Sequence, residues 1–104
     1  MTIRYSPAAR EDLRALRRYL ADEFGAVVAD RSVRKIVADI SLLKQQPNLL
    51  RPLADKIGRA TSCKYFLCGR YSIAIAERAS RVISVLRILD GRTDYAMTIF
   101  GTQA

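Results

Sequence analysis

The apolar residues of this chain change their spacing once, near residue 60, and that change limits the possible folds more than any other feature of the sequence. Over residues 6–46 they recur every three to four positions, the period of a helix with one buried stripe. Over residues 64–90 they alternate or run on unbroken, which is the pattern of strands. Helical residues therefore come first and sheet residues second, and a chain segregated in this way packs its helices on one face of an antiparallel sheet. With 104 residues there is material for one core, so a single domain over residues 1–104 is expected.

Local signals divide the chain further. Residues 2–5 alternate like a short strand. Ser6 then offers an N-cap oxygen, Pro7 suits the first helical position, and Glu11 and Asp12 bring negative charge toward the positive end of the helix dipole. Ala9, Leu13, Leu16, Leu20 and Phe24 form the inner stripe, and Gly25 stands where a helix terminates. A second helix is predicted over residues 26–46, with Ala29, Val33, Ile36, Val37, Ile40 and Leu43 facing inward, and Pro47 stops it. The two helices make an antiparallel hairpin. Residues 47–60 read as a loop whose Leu49, Leu50, Leu53 and Ile57 tuck against the core. Strands follow at residues 64–68, from Tyr71 to about Ala76, and over residues 81–90; Tyr71, Ile73 and Ile75 share the bulky face of the middle one. Residues 95–100 carry no clear pattern. The expected fold is α+β: a helical hairpin on a three- to four-stranded antiparallel sheet, with the first strand at an edge or beside the last, and the far face partly open to arginines.

Charge narrows the partner. Eighteen Lys and Arg against ten Asp and Glu leave +8, and fourteen of the eighteen are arginine, whose planar fork grips phosphate and carboxylate at two points. An anionic partner is the natural inference, with plain solubility as the alternative. Cys63 and Cys68 are five positions apart and there is no histidine, so neither a zinc site nor a disulfide framework is indicated; in one strand they would face opposite ways, as free thiols in a reducing cytosol. No metal or other cofactor is expected. Arg4 interrupts any leader-like start, and no apolar run is long enough to span a bilayer, so a cytoplasmic location without membrane attachment is expected.

Four motifs in order resemble one family. Ser6-Pro7-Ala8-Ala9-Arg10-Glu11-Asp12-Leu13 resembles the start of ParE-type toxins. Gly25 with Ala29, and Leu43 with Pro47, are similar to the family's second helix and its stop. Arg70-Tyr71-Ser72-Ile73 stands where the family reads Tyr-Arg-hydrophobic, and residues 86–94, from Leu86-Arg87-Ile88 to Arg92-Thr93-Asp94, are similar to its last strand end. The chain thus resembles the RelE/ParE toxin superfamily of type II toxin–antitoxin systems, closest to ParE-like toxins. The resemblance implies a RelE-like fold and a cognate antitoxin, ParD-like with an acidic C-terminal segment, that neutralises the toxin in a hetero-oligomer. It also implies one of two activities: DNA gyrase inhibited by binding, or messenger RNA cleaved on the ribosome.

The residues bear on that choice. RNA cleavage needs groups to take and return protons and cations for the phosphorane. RelE-like enzymes use paired lysines, two arginines and a tyrosine. Here the lysine pair is reduced to Lys64, displaced by about one position, Ser72 replaces one arginine, Arg92 matches the other, and no tyrosine stands near Met97. Were the chain a ribonuclease, Lys64 and Arg92 would carry the chemistry. The missing groups instead favour a gyrase inhibitor that acts by binding, with Arg59, Lys64, Arg70, Arg87 and Arg92 as candidate target contacts; for each, a solvated surface charge is the plain alternative. Arg87 interrupts an apolar strand, so it needs either a carboxylate such as Glu77 or exposure on a working face. Asp90 replaces the family's common histidine. Arg10, Arg14 and Arg17 flank the first helix and are candidate antitoxin contacts. A basic binding module without toxicity is a third reading.

Overall fold

A computed structural model of the chain describes residues 1–93 together with Tyr95 and Thr98. The elements run β1 (Thr2–Tyr5), α1 (Pro7–Phe24), α2 (Ala26–Ser41), β2 (Arg51–Pro52), α3 (Leu53–Ile57), β3 (Lys64–Cys68), β4 (Ser72–Ala79) and β5 (Val82–Asp90). The unassigned terminal stretch over residues 95–100, with Met97, lies outside the described residues apart from Tyr95 and Thr98.

Among the described residues the strands make one five-stranded sheet in the order β1-β5-β4-β3-β2. This is a correction to the three- or four-stranded antiparallel sheet expected. β1 pairs with β5 in parallel, Thr2 opposite Val82 through Tyr5 opposite Val85. The crossover from β1 to β5 is the whole rest of the fold, so no local signal reveals its sense. β2 contributes two residues, Arg51 and Pro52, opposite Tyr65 and Lys64. A run that short, holding a proline, has no strand pattern to detect. The second helix also ends earlier than its apolar spacing suggests: after Ser41 the chain tightens into 3₁₀ turns at Leu42–Lys44 and Pro47–Leu49, which keep Leu43 buried while changing direction.

The sheet is buried on both faces. Toward the helical hairpin, Ala74 and Ala76 of β4 lie with Ile83, Val85 and Ile88 of β5 and Cys68 of β3 against Ala9, Ile36, Ile40 and Leu43. Small alanines there let the hairpin approach closely. On the far side Ile73 and Ile75 pack with Leu53, Tyr95, Ile57, Tyr65 and Leu89. That face is less open than the sequence suggested, because the presumed loop folds into α3 and lays Leu53 on the isoleucines. Cys63 lies just before β3 and Cys68 is its last residue, and they fall in different clusters.

Two backbone details set the frame. Gly25 alone joins α1 to α2, at φ 91° and ψ 163°. This is not a left-handed helical cap but an extended positive-φ conformation that is essentially restricted to glycine. Opposite Ile75 and Ala76 the β4–β5 register slips, leaving Leu86 without a partner between Val85 and Arg87. This bulge brings Ile88 onto the same face as Ile83 and Val85 despite the odd spacing, so the hairpin-side core continues to the end of the strand.

Candidate functional site

β1 stops at Tyr5, opposite Val85, so from Leu86 onward β5 would present a bare edge. α1 covers it. Ser6 uses its hydroxyl twice, accepting from the Ala9 N–H as the helix cap and donating to the spare Leu86 carbonyl at 2.7 Å. Asp12 then takes the place of the missing strand: its Oδ2 accepts from the Ile88 N–H at 2.9 Å and from Arg87 Nε at 2.8 Å, while Oδ1 accepts from Arg87 Nη2 at 2.9 Å. The carboxylate that Arg87 requires is therefore Asp12 and not Glu77. Nor does Asp12 act chiefly on the helix dipole, since it is committed to β5. Arg87 is held above its ordinary value mainly by its hydrogen bonds to Asp12, with burial working against it.

Seven residues along α1, two helical turns and roughly 10 Å further, Tyr19 is near enough to Arg92 to act weakly on its charge. Arg92 lies just past the end of β5 and stacks its guanidinium on the Tyr71 ring, 4.2 Å from the ring centre. Its edge is taken by Asp90, with Nε donating to Oδ1 at 3.0 Å and Nη2 to Oδ2 at 2.8 Å; the Arg92 backbone N–H also donates to Oδ1. These bonds raise Arg92 above its ordinary value, and the phenols of Tyr71 and Tyr19 add smaller pulls in the same direction. They hold Asp90 below its usual value. The Gly91 N–H donates to the Tyr71 carbonyl at 2.7 Å, fixing the β3–β4 turn beside the end of β5. Arg70 adds a second guanidinium 5.4 Å from the same ring.

Tyr71 was expected in the core and is not: it sits in the turn before β4, 49% exposed, because β4 begins one residue later, at Ser72. Tyr19, also exposed, carried no sequence signal except its two-turn spacing from Asp12.

Of the candidate residues, the structure gathers Arg70 and Arg92 at one end of the sheet and ties Arg87 to α1. Lys64 is elsewhere. It opens β3 opposite Ala76, whereas Cys68 at the other end of β3 faces Ser72, and Ser72 faces Asp90. Four residues of strand, about 13 Å, lie between Lys64 and the end at which Arg92 is clamped, more than a lysine side chain spans. Arg59 follows α3 and is half-buried. On α1, Arg14 and Arg18 share Glu11, Arg17 binds Asp30 of α2 at 2.7 Å, and Arg10 is exposed.

The turn is anchored from the other side as well. Asp39 of α2 accepts from the Gly69 N–H at 2.8 Å and from Lys35 at 2.7 Å. Burial draws the Asp39 carboxyl upward, but these partners outweigh it and leave it below its ordinary value. Burial, with Asp39 nearby, pushes the Cys68 thiol up to about 12, so it stays protonated and unreactive at neutral pH. Among the described residues no three acidic or thiol groups converge as a metal site, and no helix is long and apolar enough to cross a membrane.

A helical hairpin on a mixed sheet, with arginine and tyrosine collected at one sheet end, defines a small basic α+β protein. The chain belongs to the ParE toxin family of type II toxin–antitoxin systems: the family model for the ParE toxin of the parDE system matches residues 3–95. It is similar in fold to a solved chain from the chromosomal ParDE toxin–antitoxin system of P. aeruginosa, with a TM-score of 0.74 and 22% identity over 86% of this chain and 95% of that one. No curated protein sequence matches it.

Proposed function

We propose that this ParE-family toxin inhibits DNA gyrase by binding, without chemistry of its own, and that a cognate antitoxin silences it in a hetero-oligomeric complex. The observation that carries this reading is the separation of Lys64 from Arg92. The two residues a RelE-like ribonuclease would need are four strand positions apart along β3, and Arg92 already has its Nε–Nη2 edge taken by Asp90. General acid–base catalysis requires both groups within hydrogen-bond reach of one phosphate. A binding inhibitor needs only a rigid surface that favours one state of its target. Arg70 and Arg92 on Tyr71 supply such a surface; Arg59 and Lys64 would act at its margins, and Arg87 holds the frame behind it. The antitoxin, whose acidic C-terminal segment we place along Arg10, Arg14 and Arg17, would compete there with Glu11 and Asp30. Gyrase as target implies action in the cytoplasm.

Purified toxin added to gyrase, ATP and plasmid should block supercoiling and accumulate cleaved DNA. Expressed without its antitoxin, it should induce the DNA-damage response. Cut transcripts and a rapid halt of translation, with gyrase unaffected, would overturn the reading in favour of RNA cleavage.

A further inference from the structure

Among the described residues, the guanidinium of Arg92 has a ring partner on one face only, Tyr71. The ring covers that face at 4.2 Å, and Asp90 occupies the Nε–Nη2 edge with two hydrogen bonds. Even so, the Arg92 side chain is 64% exposed. Near it are Arg70, over the same Tyr71 ring, and Tyr19 of α1, which is among the most exposed large apolar side chains of the described residues. Aromatic and apolar surface interleaved with arginine at one end of a basic protein is the composition of a stacking platform for bases.

The way Arg92 is held decides between ligands. A carboxylate of an acidic peptide, or an isolated phosphate, binds a guanidinium through its N–H edge. Here the Nε–Nη2 edge is filled by an intramolecular carboxylate fixed two residues away, so such a ligand would have to displace it or bind through the Nη1 side alone. A flat nucleobase uses the π-face, which the Asp90 clamp leaves untouched and orients. Duplex DNA buries its base faces, so only unpaired bases can use the site.

We propose that the Tyr71–Arg92 stack is a binding site for single-stranded nucleic acid, with a base laid on the free face of Arg92 and the strand's phosphates drawn by Arg70 and the net positive charge. The inference is independent of the gyrase reading, because binding is measured with the toxin alone.

The experiment is fluorescence anisotropy of a short labelled single-stranded DNA, the same strand annealed as a duplex, and RNA of the same sequence, each titrated with purified toxin. The expected result is tighter binding of both single strands than of the duplex. Loss of one stacked base corresponds to about a tenfold weakening, and that is expected for Tyr71→Ala. It is expected also for Arg92→Lys, which keeps the charge and so leaves the salt dependence unchanged. Tyr71→Phe keeps the ring and should bind like the parent, and Asp90→Asn, which frees the edge for a phosphate, should bind tighter. Tyr71 and Arg92 are exposed and Asp90 is partly so, and circular dichroism confirms that each variant is folded. Equal affinity for single strand and duplex, indifference to Tyr71→Ala and Arg92→Lys, or no binding at all would each overturn the proposal.

Discussion

Two arginines, one within the last strand and one just past its end, each have an aspartate, and the two pairs do different work. Arg87 binds an aspartate 75 residues away in sequence, from another element, and the side chains are 32% and 15% exposed. Arg92 binds an aspartate two residues away, and the pair is largely in solvent. The first pair closes a sheet edge that β1 leaves bare and brings a helix to it. The second pair closes nothing; it sets the orientation of a guanidinium that remains available. Nearly the same chemistry is structural when it joins distant segments out of water, and adjustable when it is local and wet.

The sharpest way to break this comparison is to remove each aspartate in turn. Asp12→Ala leaves the Arg87 guanidinium and the Ile88 N–H without their acceptor, and should cost about 3 kcal/mol of unfolding free energy, as loss of a charged, partly buried acceptor usually does. Urea denaturation followed by circular dichroism measures it. Asp90→Ala should leave the urea midpoint where it was. If the two variants are equally stable, the distinction between the pairs is wrong. A double-mutant cycle on Asp12 and Arg87 should show strong coupling, and one on Asp90 and Arg92 almost none.

The turn beneath Tyr71 gives a second, somewhat smaller test. Gly69 has φ +59°, and a Cβ built there would lie 2.7 Å from Ile36 Cγ1 of α2. Gly69→Ala combines a left-handed backbone with a collision inside the core and should cost about 2 kcal/mol. The Asp39 carboxylate holds the same residue's N–H, and its value is depressed below 3.8. A depressed carboxyl contributes stability in full above its ordinary value and loses it as pH falls through the native one. Acid should therefore loosen this turn below about pH 4 in the parent, whereas Asp39→Asn should be less stable at neutral pH and lose less on acidification. Amide exchange at Gly69 against pH reads both effects.

The comparison also explains what the sequence could and could not reveal. Local features were legible: the cap at Ser6, the strand at residues 64–68 and the helix periods, save for Phe24 and Val37, which are exposed, each depend on neighbours a few residues apart. Even the need of Arg87 for either a carboxylate or an exposed face followed from its apolar flanks. The identity of that carboxylate did not, because Asp12 reaches β5 only once β1 has paired in parallel and ended, and the bulge at Leu86 has turned the strand. Tyr71 was misplaced by a shift of one residue at the start of β4, enough to move a side chain from core to surface. The arginine cluster was legible as a set of charges. That Lys64 stands apart from it follows from strand register, which single-chain spacing does not contain.

The smallest expected effect concerns Asp90 itself. Its carboxyl lies below the ordinary 3.8 chiefly because Arg92 donates to it from side chain and backbone. Since the pair is open to water, its attraction is screened by salt. Followed by carbon NMR at the Asp90 carboxyl, the titration should fall below 3.8 in dilute buffer and move back toward it in molar salt or in Arg92→Ala. As pH drops through that value the clamp should open, the Tyr71 ring resonances should shift, and the fold should hold, since nothing in the core depends on this pair. If acidification through the Asp90 titration instead unfolds the protein, then the sheet end is as structural as the Asp12 bridge and the contrast between the two arginines disappears.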